Sequence, residues 1–229
     1  MNNKEKTAAI IVAAGESQRM GGIDKVMADL GGRPLLARTV QVFQDCPLVD
    51  RIVVVVNASR EAACRELFSG VEWSKMSDIC LGGRRRQDSV AAGLKCLAPV
   101  DWVIIHDGVR PFISADMISR GLEAARETGA AIAAVPVTDT IKMAGDDKMV
   151  VGTPPRQKLW AVQTPQVFRH SLITEAYRRI TEDVTDDASL LERAGHRVKI
   201  YPGADDNIKV TTPNDLALAK IIWRNHHDS

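Results

Sequence analysis

Short apolar runs at residues 8–13, 51–56, 78–81, 102–106 and 130–135 alternate with stretches of helical periodicity at 35–45, 59–69, 88–97 and 114–128. Nothing else in the chain narrows its fold so far. Runs this short and this continuously apolar suit strands covered on both faces. Strand, helix and strand in repetition make the helices crossovers between parallel neighbours. The expected architecture is therefore α/β, a Rossmann-like and mostly parallel sheet with helices on both faces. Ligands of such sheets sit at the carboxyl ends of the strands, and the charged motifs of this chain follow its apolar runs.

The alternation breaks after Val135. Residues 137–143 and 148–152 read as two β-rich segments around a Gly-Asp turn, too polar for central sheet. A ribbon of this kind is weakly stable alone and must lie on something, either its own domain or another chain. Residues 159–162 bring the chain back, followed by helical patterns at 171–181 and 187–193 and a strand at 198–201. Thr212, Pro213 and Asp215 then open the last helix with a cap, an N1 proline and a first-turn acid.

The first apolar run empties into Gly15, Arg19, the Gly21-Gly22 pair and Lys25. Glycine at a strand end lets backbone N–H groups approach an oxyanion, and the two cations add full charge. Neither the Gly-x-Gly-x-x-Gly fingerprint nor the Walker Gly-Lys-Ser/Thr pattern is present. A surface turn with two solvated cations would use the same residues.

Ala13-Ala14-Gly15, Arg19-Met20 and Lys25 resemble the triphosphate loop of the sugar-nucleotide type of nucleotidyltransferases. Six further motifs follow in order: Gly82-Gly83 with Arg86-Gln87-Asp88-Ser89-Val90, His106 to Pro111, Asp139 to Lys142, Gln163 to Gln166, Thr185 to Ala188, and Asp206 to Val210. The whole resembles the methylerythritol-phosphate cytidylyltransferase family of non-mevalonate isoprenoid biosynthesis. The likeness runs from about residue 7 to 224 and implies a single nucleotidyltransferase domain over 1–229, with 136–158 as an extended β-arm that joins a homodimer.

The resemblance also implies roles. Arg19 and Lys25 are the catalytic cations; Ala13, Ala14, Gly15, Gly83, Asp88 and Ser89 hold the nucleotide, CTP; Arg110, Thr140, Arg156, Thr185 and Lys209 surround the phosphate of a sugar-alcohol acceptor, those of the arm reaching it from the neighbouring subunit. Asp107, delivered by an apolar strand, is placed to hold Mg²⁺, which asks for few carboxylates when phosphate oxygens complete its shell. His106 is expected as buried structure, Arg84 and Arg85 as solvated, and Asp206 as a turn former. A sibling acting on ribitol phosphate, or a silent nucleotide-sensing module, would share much of this pattern. Two departures stand out: Asp24 precedes the lysine where the family usually has proline, and Arg84 stands where an acid is common.

Composition excludes several classes. A formal charge of +1 gives no reason to expect nucleic acid or an anionic membrane surface as partner. No apolar run approaches the ~20 residues of a membrane span, and the run after the polar start reads as a strand, not a signal peptide. Cys46, Cys64, Cys80 and Cys96 have neither zinc-knuckle nor disulfide-framework spacing and are expected as reduced structural thiols of a cytoplasmic protein.

Overall fold

The computed structural model describes residues 5–16, 24–179 and 182–227. Strand β1 (Thr7–Val12) lies between β4 (Arg51–Val56) and β6 (Trp102–Asp107), parallel to both. A small ribbon, β2 (Asp29–Leu30) with β3 (Arg33–Pro34), and helix α1 (Leu35–Asp45) link β1 to β4. Helix α2 (Ala58–Leu67) leads to β5 (Met76–Leu81), and α3 (Arg86–Cys96) leads to β6. Helix α4 (Ala115–Thr128) then feeds β7 (Ala130–Pro136), and the arm strands β8 (Met143–Ala144) and β9 (Val150–Gly152) pair antiparallel. After β10 (Trp160–Arg169) come α5 (His170–Arg179), α6 (Ala188–Arg193), β11 (Lys199–Pro202) and α7 (Pro213–His227).

The main sheet has seven strands in the order β11-β7-β10-β6-β1-β4-β5, and β10 is the antiparallel member, between β6 and β7. Alternate residues of each central strand feed opposite layers. Ile11, Val54 and Ile104 face α1, α4 and α7, whereas Ile10, Val55 and Ile105 face α3, α5 and α6. Each such fully buried side chain contributes roughly 1.5–3 kcal/mol, which is why these strands read as unbroken apolar runs.

Local signals set several boundaries. Ser114 accepts from the Met117 N–H at 3.1 Å to start α4, and Gly129, at φ 84°, ends it in the left-handed conformation. Thr212 Oγ1 accepts from Asp215 N at 3.2 Å while Asp215 accepts from the Thr212 N–H at 2.9 Å, a reciprocal cap on α7.

Two expectations are corrected. The return at residues 159–162 is the start of a ten-residue strand that runs through the Gln163-Thr164-Pro165-Gln166 motif, with its register shifted between Val162 and Gln166. Proline cannot donate to a ladder, and the polar residues around it disguised a sheet interior. In the arm the β-rich segments shrink to strands of two and three residues. All four cysteines are free; burial pushes the Cys64 thiol up to about 11, and burial together with Cys96 pushes Cys80 up to about 12, consistent with inert thiols. Among the described residues no helix is long and apolar enough to cross a membrane.

Candidate active site

Strands β6 and β1 are neighbours and β5 lies beyond β4, and the first cavity, of about 170 Å³, opens at the carboxyl ends of these parallel strands. Ala13, Gly15, Lys25, Gly83, Ser89, Asp107 and Lys209 line it. Close packing explains Gly82 at the end of β5. A Cβ there would stand 2.5 Å from the Ala14 Cβ and 2.6 Å from the Ser89 Oγ, so only glycine lets the β1 exit, the β5 exit and the start of α3 converge.

A second cavity of about 390 Å³ lies beside the first, lined by β10, the 185–192 segment and Arg110, with Thr185 on its wall. The two cavities share Arg86, Asp107 and Lys209. Asp107, only 6% exposed, sits on the partition. Its carboxylate accepts from Lys209 Nζ at 2.8 Å and from Arg86 Nε at 3.2 Å, with Arg110 Nε at 3.8 Å. Burial works to raise this carboxyl's pKa, but Arg86 and Lys209 outweigh it and hold the group well below the usual carboxylate range. Asp107 is ionised at neutral pH.

Arg86 continues the network. Its Nη1 donates to the buried Asp187 at 2.7 Å, and Asp187 accepts from the Tyr177 hydroxyl at 2.6 Å. Burial opposes the Arg86 charge, yet Asp187 and Asp107 together raise its pKa above the ordinary arginine value. Arg110 is held by Nη1 donating to the Asn207 carbonyl at 2.7 Å, and Asn207 Nδ2 in turn donates to Thr164 O at 2.9 Å. On the first wall Lys25, Arg84, Arg85, Arg86 and Lys209 stand against Asp107 alone, so that cavity favours an anionic guest, whereas on the second Arg86, Arg110 and Lys209 are balanced by Asp107, Asp186 and Glu192.

His106 is structural, as expected. Its Nε2–H donates to the Arg110 carbonyl at 3.0 Å, its Nδ1 is a buried atom with no hydrogen-bond partner, and its ring packs on Phe43 at 5.2 Å. Burial pushes it down to about 4, so it is neutral at pH 7. The unfolded chain takes up this proton near pH 6.5 and the folded one only near pH 4. Stability therefore falls as pH drops from ~6.5 toward 4 and is complete above that window. Thermal unfolding midpoints at pH 7.5 and 5 should show this decline, and His106→Gln, which keeps a donor for the Arg110 carbonyl, should flatten it. An unchanged slope in that variant would move the effect elsewhere.

Not every expected site residue reaches a cavity. Arg19 lies outside the described residues. Ala14 packs against Gly82 behind the first cavity. Asp88 serves the α3 N-terminus, accepting from the Arg85 N–H at 3.0 Å and pairing with the Arg85 guanidinium. Arg85 also pairs with Asp183, so it is not merely solvated; Arg84 is exposed on the cavity rim. Thr140 and Arg156 are exposed on the arm, where Arg156 donates to the Thr138 carbonyl. Asp206 faces His226 of α7 at 3.4 Å. Sequence reasoning missed Arg86 and Asp187: three consecutive arginines gave no sign of which one the helix turns inward.

An α/β sheet with a cationic cavity at its strand ends, joined to a second cavity across one ionised carboxylate, is the framework of a protein of the nucleotidyltransferase type. The family profile described as IspD, 2-C-methyl-D-erythritol 4-phosphate cytidylyltransferase, matches residues 7–225, and the chain belongs to that family. A Dehalococcoides mccartyi protein named 2-C-methyl-D-erythritol 4-phosphate cytidylyltransferase is 50% identical over 220 residues, 96% of this chain and 97% of its own. One of the same name from Alkaliphilus oremlandii is 43% identical over 100% of this chain and 99% of its own. The crystal structure of 4-diphosphocytidyl-2C-methyl-D-erythritol synthase from Anaerococcus prevotii superposes with a TM-score of 0.85 at 32% identity, covering 96% of this chain and 97% of that one.

Proposed function

We propose that the first cavity binds CTP, that the second binds 2-C-methyl-D-erythritol 4-phosphate, and that the chain transfers CMP to the acceptor's phosphate across the Asp107 partition. The protein is a cytidylyltransferase, and its products are 4-diphosphocytidyl-2-C-methyl-D-erythritol and pyrophosphate. The observation that carries the placement is the sharing of Arg86, Asp107 and Lys209 by two adjacent cavities, one walled by the β1 exit and the other by Thr185 and Arg110.

A phosphate oxygen of the acceptor attacks the α-phosphorus of CTP in line. The new P–O bond forms as the bond to the β-phosphate oxygen breaks, and pyrophosphate leaves with the electron pair. The acceptor's second pKa is near ~6, so the nucleophile is already largely dianionic and no general base is required. His106 is buried and committed to the Arg110 carbonyl, in keeping with that. The protein must bring two mutually repelling anions together and align them. Lys25 stabilises the triphosphate, Lys209, Arg110 and Thr185 hold the acceptor phosphate, and Gly83 with Ser89 face the base.

Among the described residues no three His, Cys, Asp or Glu side chains group as a ready-made metal site. One buried, ionised carboxylate still fits a magnesium-like cation, which prefers one or two carboxylates with phosphate oxygens. Asp107 would hold it, and the cation would supply charge neutralisation at the transferring phosphoryl group.

The arm completes the proposal. Met143 is 52% exposed, Met149 66% and Val151 70%, on a ribbon too short to be stable by itself. A second copy of this chain would cover those side chains and bring its Thr140 and Arg156 to the acceptor. Val151→Glu should then shift the protein toward monomer in light scattering and lower turnover; a variant that stays dimeric would count against the arm.

The test of the whole reading is pyrophosphate release from CTP with a divalent cation, with and without methylerythritol phosphate, and with ribitol phosphate in its place. Release with ribitol phosphate alone would replace the acceptor. No release with either would overturn the assignment of the cavities.

A further inference from the structure

The carboxylate of Asp24, next to Lys25, would be expected to weaken that ammonium's hold on a phosphate. The fold answers it from a different element. Arg60, the third residue of α2, has a side chain only 8% exposed, and its Nε donates to Asp24 Oδ2 at 2.7 Å. Its Nη1 also donates to Ala13 O at 3.2 Å and Gly15 O at 3.0 Å. The Asn57 side chain, capping α2, accepts from the Arg60 N–H at 3.2 Å and fixes where this arginine starts. One guanidinium thus joins the exit of β1 to the stretch that carries Lys25.

Arg60 is not part of the wall of the first cavity, whereas Ala13, Gly15 and Lys25 are. It grips from behind. In a trans peptide the C=O and N–H point in opposite directions. With the Ala13 and Gly15 carbonyls drawn back onto Arg60, the N–H groups of Ala14 and Glu16 are turned away from it, the orientation in which backbone amides cradle an anion.

We propose that Arg60 is a positioning residue for the nucleotide: it neutralises Asp24, so that Lys25 keeps its field, and it orients the peptide units at the β1 exit. This rests on the reading that the first cavity takes CTP. A lysine in its place would keep the charge and lose the planar fork that reaches three acceptors.

The experiment compares the full-length parent with Arg60→Lys, Arg60→Gln, Asp24→Asn and the Arg60→Gln/Asp24→Asn double variant, by CTP calorimetry and by KM for each substrate. Arg60→Gln should weaken CTP by about 10- to 100-fold, the scale of lost hydrogen bonds to a charged group, with KM for methylerythritol phosphate unchanged. Arg60→Lys should lose about tenfold, and the added Asp24→Asn should recover part of the Arg60→Gln loss, because the carboxylate is then no longer uncompensated. Should Arg60→Gln fail to fold, Arg60→Lys and Asp24→Asn still decide the matter through the CTP-specific KM. CTP affinity that stays parental in folded Arg60 variants would overturn the proposal, as would equal losses for both substrates. A parent that neither binds nor turns over CTP would remove the cavity assignment itself, and Arg60's role with it.

Discussion

Asp107→Asn is expected to lower pyrophosphate release by about 10³-fold, the upper range for losing one preorganised charge contact. The amide has nearly the same shape as the carboxylate, and the Asp107 N–H would keep its bond to Thr164 Oγ1 at 3.1 Å, so local packing should survive. What is lost is the anion that both cavities share. Lys209 at 2.8 Å and Arg86 at 3.2 Å would then face a neutral group that also no longer attracts a divalent cation. Stability should respond with a definite sign. The carboxyl of Asp107 is held below its unfolded pKa, so its contribution is present above ~3.9 and is lost as pH falls through and below that value. The variant should therefore be less stable than the parent at pH 7, with the gap closing in acid. Steady-state release at saturating CTP and acceptor, with unfolding midpoints at pH 7 and 3, checks both statements. Turnover within tenfold of the parent would exclude Asp107 from the chemistry.

Lys25→Ala should cost on the order of 10²-fold in turnover. Lys25 lines the first cavity just beyond the β1 exit, where the triphosphate would lie. A charge that stabilises the departing pyrophosphate acts more strongly as the bond breaks than in the bound substrate, so kcat should fall more than KM rises. Lys25→Arg should recover part of the loss, because charge is restored with altered reach. Parental kcat in the alanine variant would place the triphosphate elsewhere.

The strands and helices of the sheet were legible because their signals are local. Residues 35–45 and 51–56 form elements with the boundaries their periodicity implied, since both begin and end at polar or proline punctuation. Helix α3 begins at Arg86, ahead of the expected Asp88, because the Asp88 carboxylate accepts from both the Arg85 N–H and the Arg85 guanidinium and draws the intervening residues into the first turn. Strand β10 was hidden because its polar residues, Gln163, Thr164 and Gln166, are buried for hydrogen bonding and not for hydrophobicity. The site was legible as a set of motifs, while its electrostatics were not.

Composition and periodicity by themselves determined an α/β sheet covered on both faces, with charged motifs gathered at the carboxyl ends of its strands, since strand and helix periods are written residue by residue. Which arginine of the 84–86 triplet turns inward, that Lys209 lies on Asp107, and that Arg60 answers Asp24 were decided by tertiary structure alone. Ion pairs between distant segments leave no spacing in a sequence. They exist only where the fold removes enough water for one charge to feel another.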